Sequence, residues 1–285
     1  MKRRRIVDGH VHIWDTRKFR SPWLADAPSL NRPFLLRDYF EVVQGFEVER
    51  IVFLQCEAEP SQALDEARWI SSLATEEPRI GAIIPFAPIE LSSVCRAYLE
   101  QLGRLPLVRG VWRIIQYEKD PTFCLSPRFL EGLKLLPEFG FSFAICISHL
   151  QLEKAVEMAA RCPAVSFVLD HIAKPDIKSG NYEPWATHIE RLAELPNVTC
   201  KISGMVTGAD HAGWREGQLA PYIDHVVSRF GIERVMFGGD WPVVTLASPW
   251  AGWFNALTRA ARFLRPEEHD LLFSDNAQRI YRIAS

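Results

Sequence analysis

Hydrophobic and polar residues follow a repeating order along this chain, in which a short apolar run precedes a longer segment with helical periodicity. Short apolar runs with few polar residues are typical of parallel strands that are buried on both faces. Eight such runs predict eight β-strands, at residues 5–12, 50–57, 79–87, 108–115, 141–148, 166–172, 198–203 and 234–241.

The segments between these runs predict helices, several of which begin with a serine or directly after a proline. The predicted helices span residues 37–44, 61–75, 92–103, 126–136, 150–161, 185–195, 218–230 and 250–263. A further helix begins at Pro266 and runs to Ile283, and we expect it to cap the bundle. The aromatic, proline-rich segment from Trp14 to Phe34 is long for a simple connection, which is typical of a lid or binding loop.

Strands that alternate with helices eight times indicate an α/β protein with a single (β/α)8 TIM-type barrel and an extra C-terminal helix. An open doubly wound sheet is the alternative, but no Gly-x-Gly-x-x-Gly follows the first strand, so no dinucleotide site is indicated. No low-complexity linker interrupts the pattern. We therefore expect residues 1–285 to form one domain.

The composition of the chain argues against nucleic acid and membranes as binding partners. A formal charge of −2 gives no electrostatic footprint for nucleic acid, and no window approaches the roughly 18 apolar residues of a membrane span. The basic residues at positions 2–5 precede a histidine pair rather than an apolar stretch, so we expect a solvated start instead of a signal peptide. Six cysteines without a Cys-x-x-Cys spacing favour free thiols in the cytoplasm. The expected partner is a small molecule, and a homodimer is left open.

Polar residues stand at the carboxyl ends of the predicted strands, where a barrel keeps its chemistry. His10 and His12 are two residues apart and share one face of the first strand. Burying charged groups without partners is costly, so the convergence of so many favours a functional pocket. The other candidates at strand ends are Gln55, Glu57, Arg113, Asp170, His171, Lys201, Asp240 and Trp241.

A carboxylate that faces several imidazoles suits the activation of water, with Asp240 as the base and the histidines polarising a carbonyl directly or through a metal. Structural alternatives remain, because His171 could be a core histidine and Asp240 a helix cap. Lys201 could anchor a substrate or pair with Asp170 or Glu57.

Arg113 could clamp a carbonyl or carboxylate, or form an ion pair inside the barrel. No Gly-x-Ser-x-Gly motif indicates a serine nucleophile, so hydrolysis by activated water is the simplest chemistry.

Six motifs in order resemble the amidohydrolase superfamily, within it the amidohydrolase-2 branch that opens sugar lactones. They are Asp8-Gly-His-Val-His-Ile-Trp-Asp15, Arg109-Gly-Val-x-Arg113, Leu169-Asp-His-Ile-Ala-Lys-Pro175, Cys200-Lys-Ile-Ser-Gly204, Gly239-Asp-Trp-Pro242 and Ser274-Asp-Asn-Ala277. The resemblance implies a lactonase in which catalysis falls to His10, His12, His171 and Asp240. Substrate binding is expected from Gln55, Arg113, Lys201, Trp14 and Trp241.

The resemblance does not extend to a binuclear metal centre. The fourth strand offers Trp112 and Arg113 in place of a bridging carboxylated lysine or glutamate, and the fifth strand has no histidine. His10, His12 and Asp240 could hold one divalent metal, with zinc the first choice, or the site could require none.

The family that this chain resembles often carries arginine at the position of Trp112. The indole removes that donor and presents a ring suited to the face of a sugar, which favours a sugar lactone over a dicarboxylate lactone. A metal-dependent decarboxylase, an amide hydrolase and a non-catalytic carrier of a sugar acid or lactone are the alternative functions.

Overall fold

A ring of parallel strands lies at the centre of the computed structural model, which describes residues 5–284. The basic residues 2–4 lie outside the described part, and Arg5 begins the first strand. The strands are β1 Arg5–Val11, β2 Glu47–Leu54, β3 Ile80–Ile84, β4 Gly110–Trp112, β5 Ser142–Ile145, β6 Phe167–Leu169, β7 Val198–Ile202 and β8 Val235–Phe237.

Each strand pairs with its neighbours in chain order, β1 to β3 in one arc and β4 to β8 in another. Residues at the strand ends join the two arcs. The Trp112 amide donates to the carbonyl oxygen of Pro85 at 2.8 Å, and the His12 amide donates to that of Trp241 at 2.8 Å. The ring is therefore continuous, and the predicted (β/α)8 barrel is confirmed.

The α-helices lie between successive strands and after the last strand. They are α1 Leu36–Val42, α2 Ala63–Glu76, α3 Ser92–Gly103, α4 Pro127–Leu133, α5 Leu152–Arg161, α6 Trp185–Ala193, α7 Glu216–Phe230, α8 Trp250–Ala260, α9 Pro266–Asp270 and α10 Asn276–Tyr281. Within residues 5–284, no helix is long and apolar enough to cross a membrane.

The predicted helix from Pro266 to Ile283 is interrupted. A π-helical turn, Leu271–Asp275, separates α9 from α10. The Asn276 side-chain amide donates to the carbonyl oxygens of Ile232 and Val235, at 2.7 and 2.8 Å, which fixes α10 against the segment that enters β8. A wider turn adds a residue without changing the apolar pattern much, so the periodicity of the sequence does not reveal it.

Two apolar clusters divide the core. One lies between the strands and the surrounding helices, and a smaller one fills the barrel interior with residues such as Val52, Ile84 and Met236. Tyr281 and Ile283, in and just after α10, belong to the interior cluster. The extra C-terminal segment therefore closes the amino-terminal end of the barrel, an end that the sequence did not specify, and leaves the carboxyl ends of the strands for chemistry.

Candidate active site

The carboxyl ends of the strands surround a cavity of about 230 Å³, here called the inner cavity, whose walls include His12, His171, Lys174 and Asp240. An adjoining cavity of about 1000 Å³, the outer cavity, extends away from it and is lined by residues such as Gln55 and Arg113. Pockets of this order bind small molecules. The strand ends therefore form a site open to ligands.

Asp8 anchors the strand that carries the two histidines. Its carboxylate is fully buried and accepts from the backbone amides of His10 and Gly239, at 3.1 and 2.6 Å. The Tyr39 hydroxyl and the Trp250 indole donate to its other oxygen, at 2.9 and 2.8 Å. Asp8 thereby ties β1 to the loop after β8, and so fixes the histidines relative to Asp240.

His10, His12 and Asp240 converge on one point. The two Nε2 atoms are 3.1 Å apart, and Asp240 Oδ1 is 3.8 Å from His10 Nε2 and 3.5 Å from His12 Nε2. His12 Nδ1 lies 2.8 Å from the carbonyl oxygen of Leu54, which can only accept, so His12 donates its Nδ1 proton there. This hydrogen bond leaves His12 Nε2 facing His10 and Asp240.

These three side chains fit a single tetrahedral metal. Bonds of about 2.05 Å to zinc separate two ligand atoms by about 3.4 Å, close to the spacings between His10, His12 and Asp240. Imidazole nitrogen and carboxylate oxygen are donors that zinc accepts, and the hydrogen bond to Leu54 orients His12 as a metal-bound histidine is usually oriented. The donor set can hold one such ion.

A left-handed turn follows β6 and supplies the opposite wall. The φ angles are +55° at His171, +48° at Ile172, +60° at Ala173 and +48° at Lys174. Each such residue costs roughly 1–2 kcal/mol, so the surrounding packing must impose this conformation. The Trp185 indole contributes by donating to the Ile172 carbonyl oxygen at 2.7 Å. His171 and Lys174 both reach the wall of the inner cavity as a result.

His171 is held between Ser203 and Asp240. Its Nδ1 lies 2.9 Å from the Ser203 hydroxyl, and its Nε2 lies 4.0 Å from Asp240 Oδ1. When Ser203 donates to Nδ1, the ring proton sits on Nε2 and faces the cavity. The ammonium of Lys174 donates to the side-chain oxygen of Gln116, another residue of the cavity wall.

The pKa shifts in the inner cavity distinguish the neutral histidines from the ionised aspartate. Burial lowers the pKa of His10 and His171 well below the usual range, so both rings are neutral at pH 7. Burial alone would raise the pKa of Asp240, but His171, His12 and Lys174 outweigh it and bring that pKa below its usual value. The inner cavity thus combines an ionised carboxylate with neutral imidazoles.

Of the two roles predicted for Lys201, the structure contains the ion pair. Its ammonium is fully buried inside the barrel, 3.0 Å from Asp170 Oδ1 and 3.5 Å from His10 Nδ1. It is absent from the walls of both the inner and the outer cavity. Lys201 and Asp170 therefore lie beside His10 Nδ1 inside the barrel and position this ring, rather than contacting a ligand.

The other predicted substrate-binding residues do not meet in one place. Trp14 and Trp241 are almost fully buried in the aromatic packing around Phe34 and line neither cavity. Gln55 and Arg113 line the outer cavity only.

The Arg113 guanidinium is neutralised in the outer cavity. Its Nε lies 3.0 Å from a carboxylate oxygen of Glu90, and Glu118 pairs with another of its nitrogens. Arg113 was predicted either to clamp a substrate or to form an ion pair inside the barrel. The structure contains the ion pair, but at the wall of the outer cavity.

Sequence reasoning missed Lys174. Lys174 lies three residues after His171, in the motif from Leu169 to Pro175. Neither helical nor strand periodicity predicts that the side chains of Lys174 and His171 line the same cavity. The left-handed turn does so, and no residue in it is a glycine that would have signalled positive φ.

A (β/α)8 barrel with imidazoles and a carboxylate at the carboxyl ends of its strands defines a class of barrel enzymes that activate water. The chain belongs to the amidohydrolase family, whose sequence model matches residues 7–283. The resemblance carried by the six motifs is confirmed.

Relatives that carry the names of lactonases match most of the chain. An L-fucono-1,5-lactonase from Burkholderia ambifaria is 28% identical over 97% of this chain and 95% of its own. An L-rhamnono-gamma-lactonase from Scheffersomyces stipitis is 23% identical over 86% of this chain and 88% of its own. The crystal structure of an amidohydrolase from Burkholderia multivorans with bound zinc has a TM-score of 0.87 and 27% identity, covering 98% of this chain and 99% of that one.

Proposed function

We propose that this protein is a hydrolase that opens a sugar lactone, such as an L-fuconolactone or L-rhamnonolactone, to the sugar acid. The observation that carries the proposal is the convergence of Asp240 with His10, His12 and His171 on one small cavity. The identity to lactonases over nearly the full chain supports it.

Asp240 is the general base of this proposal. Its ionised carboxylate accepts a proton from water, the water oxygen attacks the lactone carbonyl carbon, and the ring carbon–oxygen bond breaks. The proton then passes to the leaving ring oxygen. His171, with its proton on Nε2, donates to the carbonyl oxygen, while the Lys174 ammonium stabilises the negative charge that develops in the cavity.

His10, His12 and Asp240 would hold a metal ion, if one is bound. A divalent ion there would polarise the carbonyl oxygen and favour ionisation of water. The Burkholderia multivorans relative was crystallised with bound zinc, which supports zinc as the ion for such a site.

A pH-indicator assay of sugar and dicarboxylate lactones tests the proposal, with and without a chelator. We expect acid release from sugar lactones, with Asp240→Asn lowering kcat at least about 100-fold while the thermal unfolding curve is preserved. Hydrolysis unaffected by Asp240→Asn would refute the role of Asp240. Silence on all lactones, with metal-dependent decarboxylation or amide hydrolysis instead, would refute the function.

A further inference from the structure

The inner and outer cavities share a wall. Trp23, Glu57, Trp112, Ile114 and Tyr117 line both, so a ligand that reacts beside Asp240 can extend directly into the outer space. The inner cavity, at about 230 Å³, suits one small ring, whereas the outer cavity has about 1000 Å³. A lactone of a single sugar leaves most of this volume unused.

The shared wall is aromatic and partly accessible. Tyr117 is 70% exposed although it is a large aromatic residue, and Trp23 is half-buried, whereas Trp112 is buried and stacks on His12. Tyr117 and Trp23 therefore supply the accessible rings. Large aromatic residues are exposed in this way at binding surfaces, because a ring face offers apolar area while its polar atoms stay hydrated. These rings suit the apolar face of a sugar ring.

The charges of the outer cavity disfavour an anionic occupant, although Arg20 pairs with one of its carboxylates, that of Glu59. Asp26, Glu57, Glu59 and Glu90 contribute carboxylates to its wall, and the guanidinium there, that of Arg113, already pairs with Glu90. Carboxylates accept hydrogen bonds from hydroxyl groups and repel a second carboxylate. The lining therefore combines aromatic faces with hydroxyl acceptors.

We propose that the outer cavity is a subsite for a second, neutral sugar ring, so that the substrate is a glycosylated aldonolactone of the kind formed by oxidation of a disaccharide. The proposal rests on the lactonase function and specifies its substrate class. The lactone ring enters the inner cavity beside Asp240, and the glycosyl group occupies the outer cavity against Tyr117.

The test compares one-ring with two-ring lactones, using D-glucono-1,5-lactone with cellobiono-1,5-lactone, and L-fucono-1,5-lactone with its O-glucosyl derivative. We expect kcat/KM to be at least about tenfold higher for the two-ring member. An equal or lower value would overturn the proposal. An equal gain from an O-hexyl substituent would overturn the assignment to a sugar.

A matched pair of variants locates the effect. Ala27 lines the outer cavity only, whereas Ala25, two residues earlier, is exposed and lines neither cavity. Ala27→Trp is expected to remove the preference for two rings and to leave one-ring turnover unchanged. Ala25→Trp is expected to retain the preference, and its loss in both variants or in neither would contradict the location.

Calorimetric binding of the acids separates this proposal from the lactonase function. Cellobionate is expected to bind at least about tenfold more tightly than gluconate, and Ala27→Trp should abolish the difference. If no lactone were hydrolysed, the lactonase function would be refuted. The affinities for cellobionate and gluconate would still show whether the outer cavity binds a second sugar ring. Equal affinities for both acids would overturn the subsite whatever the activity.

Discussion

Lys174 is the cationic side chain on the wall of the inner cavity, and its charge acts in two ways. In the proposed reaction it stabilises the negative charge that develops on the lactone oxygens, and in the structure it lowers the pKa of Asp240. We predict that Lys174→Met lowers kcat/KM by about 100-fold, the usual cost of losing one stabilising donor. The acid limb of the pH–activity profile should also move to higher pH, because Asp240 would lose its proton less readily.

Lys178→Met is the control for Lys174→Met. Lys178 is exposed four residues further on and lies outside the inner cavity, so steady-state kinetics should match wild type. An acid limb that stays in place in Lys174→Met would contradict the electrostatic contact with Asp240.

The position of a residue at the end of a predicted strand was enough to predict which side chains share the pocket. His10, His12, His171 and Asp240 were assigned to one pocket from their place after apolar runs, and the structure brings them within hydrogen-bonding range or close to it. The same reasoning placed Lys201 there as well. Apolar neighbours reveal that a charged residue is buried, but which partner neutralises it depends on distances that the sequence does not contain.

The position of the His171 imidazole depends on the loop after β7. Gly204 has φ of +58°, and a Cβ there would lie 2.6 Å from His171 Nδ1. Gly204→Ala must therefore displace the imidazole. We predict that kcat falls by at least about tenfold and that the free energy of unfolding falls by about 1–2 kcal/mol, measured by lactone hydrolysis and urea denaturation.

Gly217→Ala is the matched control for Gly204→Ala. Gly217 lies in α7 with φ outside the left-handed range and open space where a Cβ would be. Its activity should equal that of wild type. Normal activity in Gly204→Ala would show that the position of His171 is not critical.

Apolar runs predicted that the elements exist, whereas local backbone conformation decided where they end. The predicted eighth strand, 234–241, ends at Phe237 because Gly238 and Gly239 follow and Asp240 adopts φ of +56°. The sixth likewise ends at Leu169, before the left-handed turn. The polar residues that follow β6 and β8 depart from strand conformation in order to form the candidate site. The ends of strands are therefore predicted least accurately next to the site residues.

Asp8 connects distant parts of the whole barrel. Asp8→Ala would leave four buried donors without an acceptor, those of His10, Gly239, Tyr39 and Trp250. Each unpaired donor costs about 1–3 kcal/mol, so we predict a loss of about 4 kcal/mol or more in the free energy of unfolding. Asp8→Asn keeps one acceptor oxygen and should lose less. Urea denaturation would measure both, and equal stability of Asp8→Ala and wild type would contradict the anchoring role.

Glu66 makes the stability of the molecule depend on pH. Burial raises the pKa of this carboxyl from 4.5 to about 8, so between these pH values the folded chain holds a proton that the unfolded chain releases. Stability therefore falls as pH rises through this window, by up to about 1.4 kcal/mol per pH unit. Glu66→Gln avoids this loss. We predict that its advantage over wild type, measured by urea denaturation, grows from pH 5 to pH 8.

Glu131→Gln, on the exposed surface of α4, serves as the control for Glu66→Gln. Its stability should stay within about 0.5 kcal/mol of wild type at every pH. A constant difference between Glu66→Gln and wild type across this range would refute the titration of Glu66.

The bond between Asp8 and Gly239 joins residues 231 positions apart. On a ribosome, β1 is made first and emerges with a carboxylate whose partners Gly239 and Trp250 do not yet exist. His10 and His12 likewise lack Asp240 until β8 has been made, so a nascent or prematurely terminated chain without β8 cannot form the proposed catalytic site. Any activity in the cell should therefore come from chains whose synthesis has passed Trp250, and shorter fragments should be inert as well as unstable.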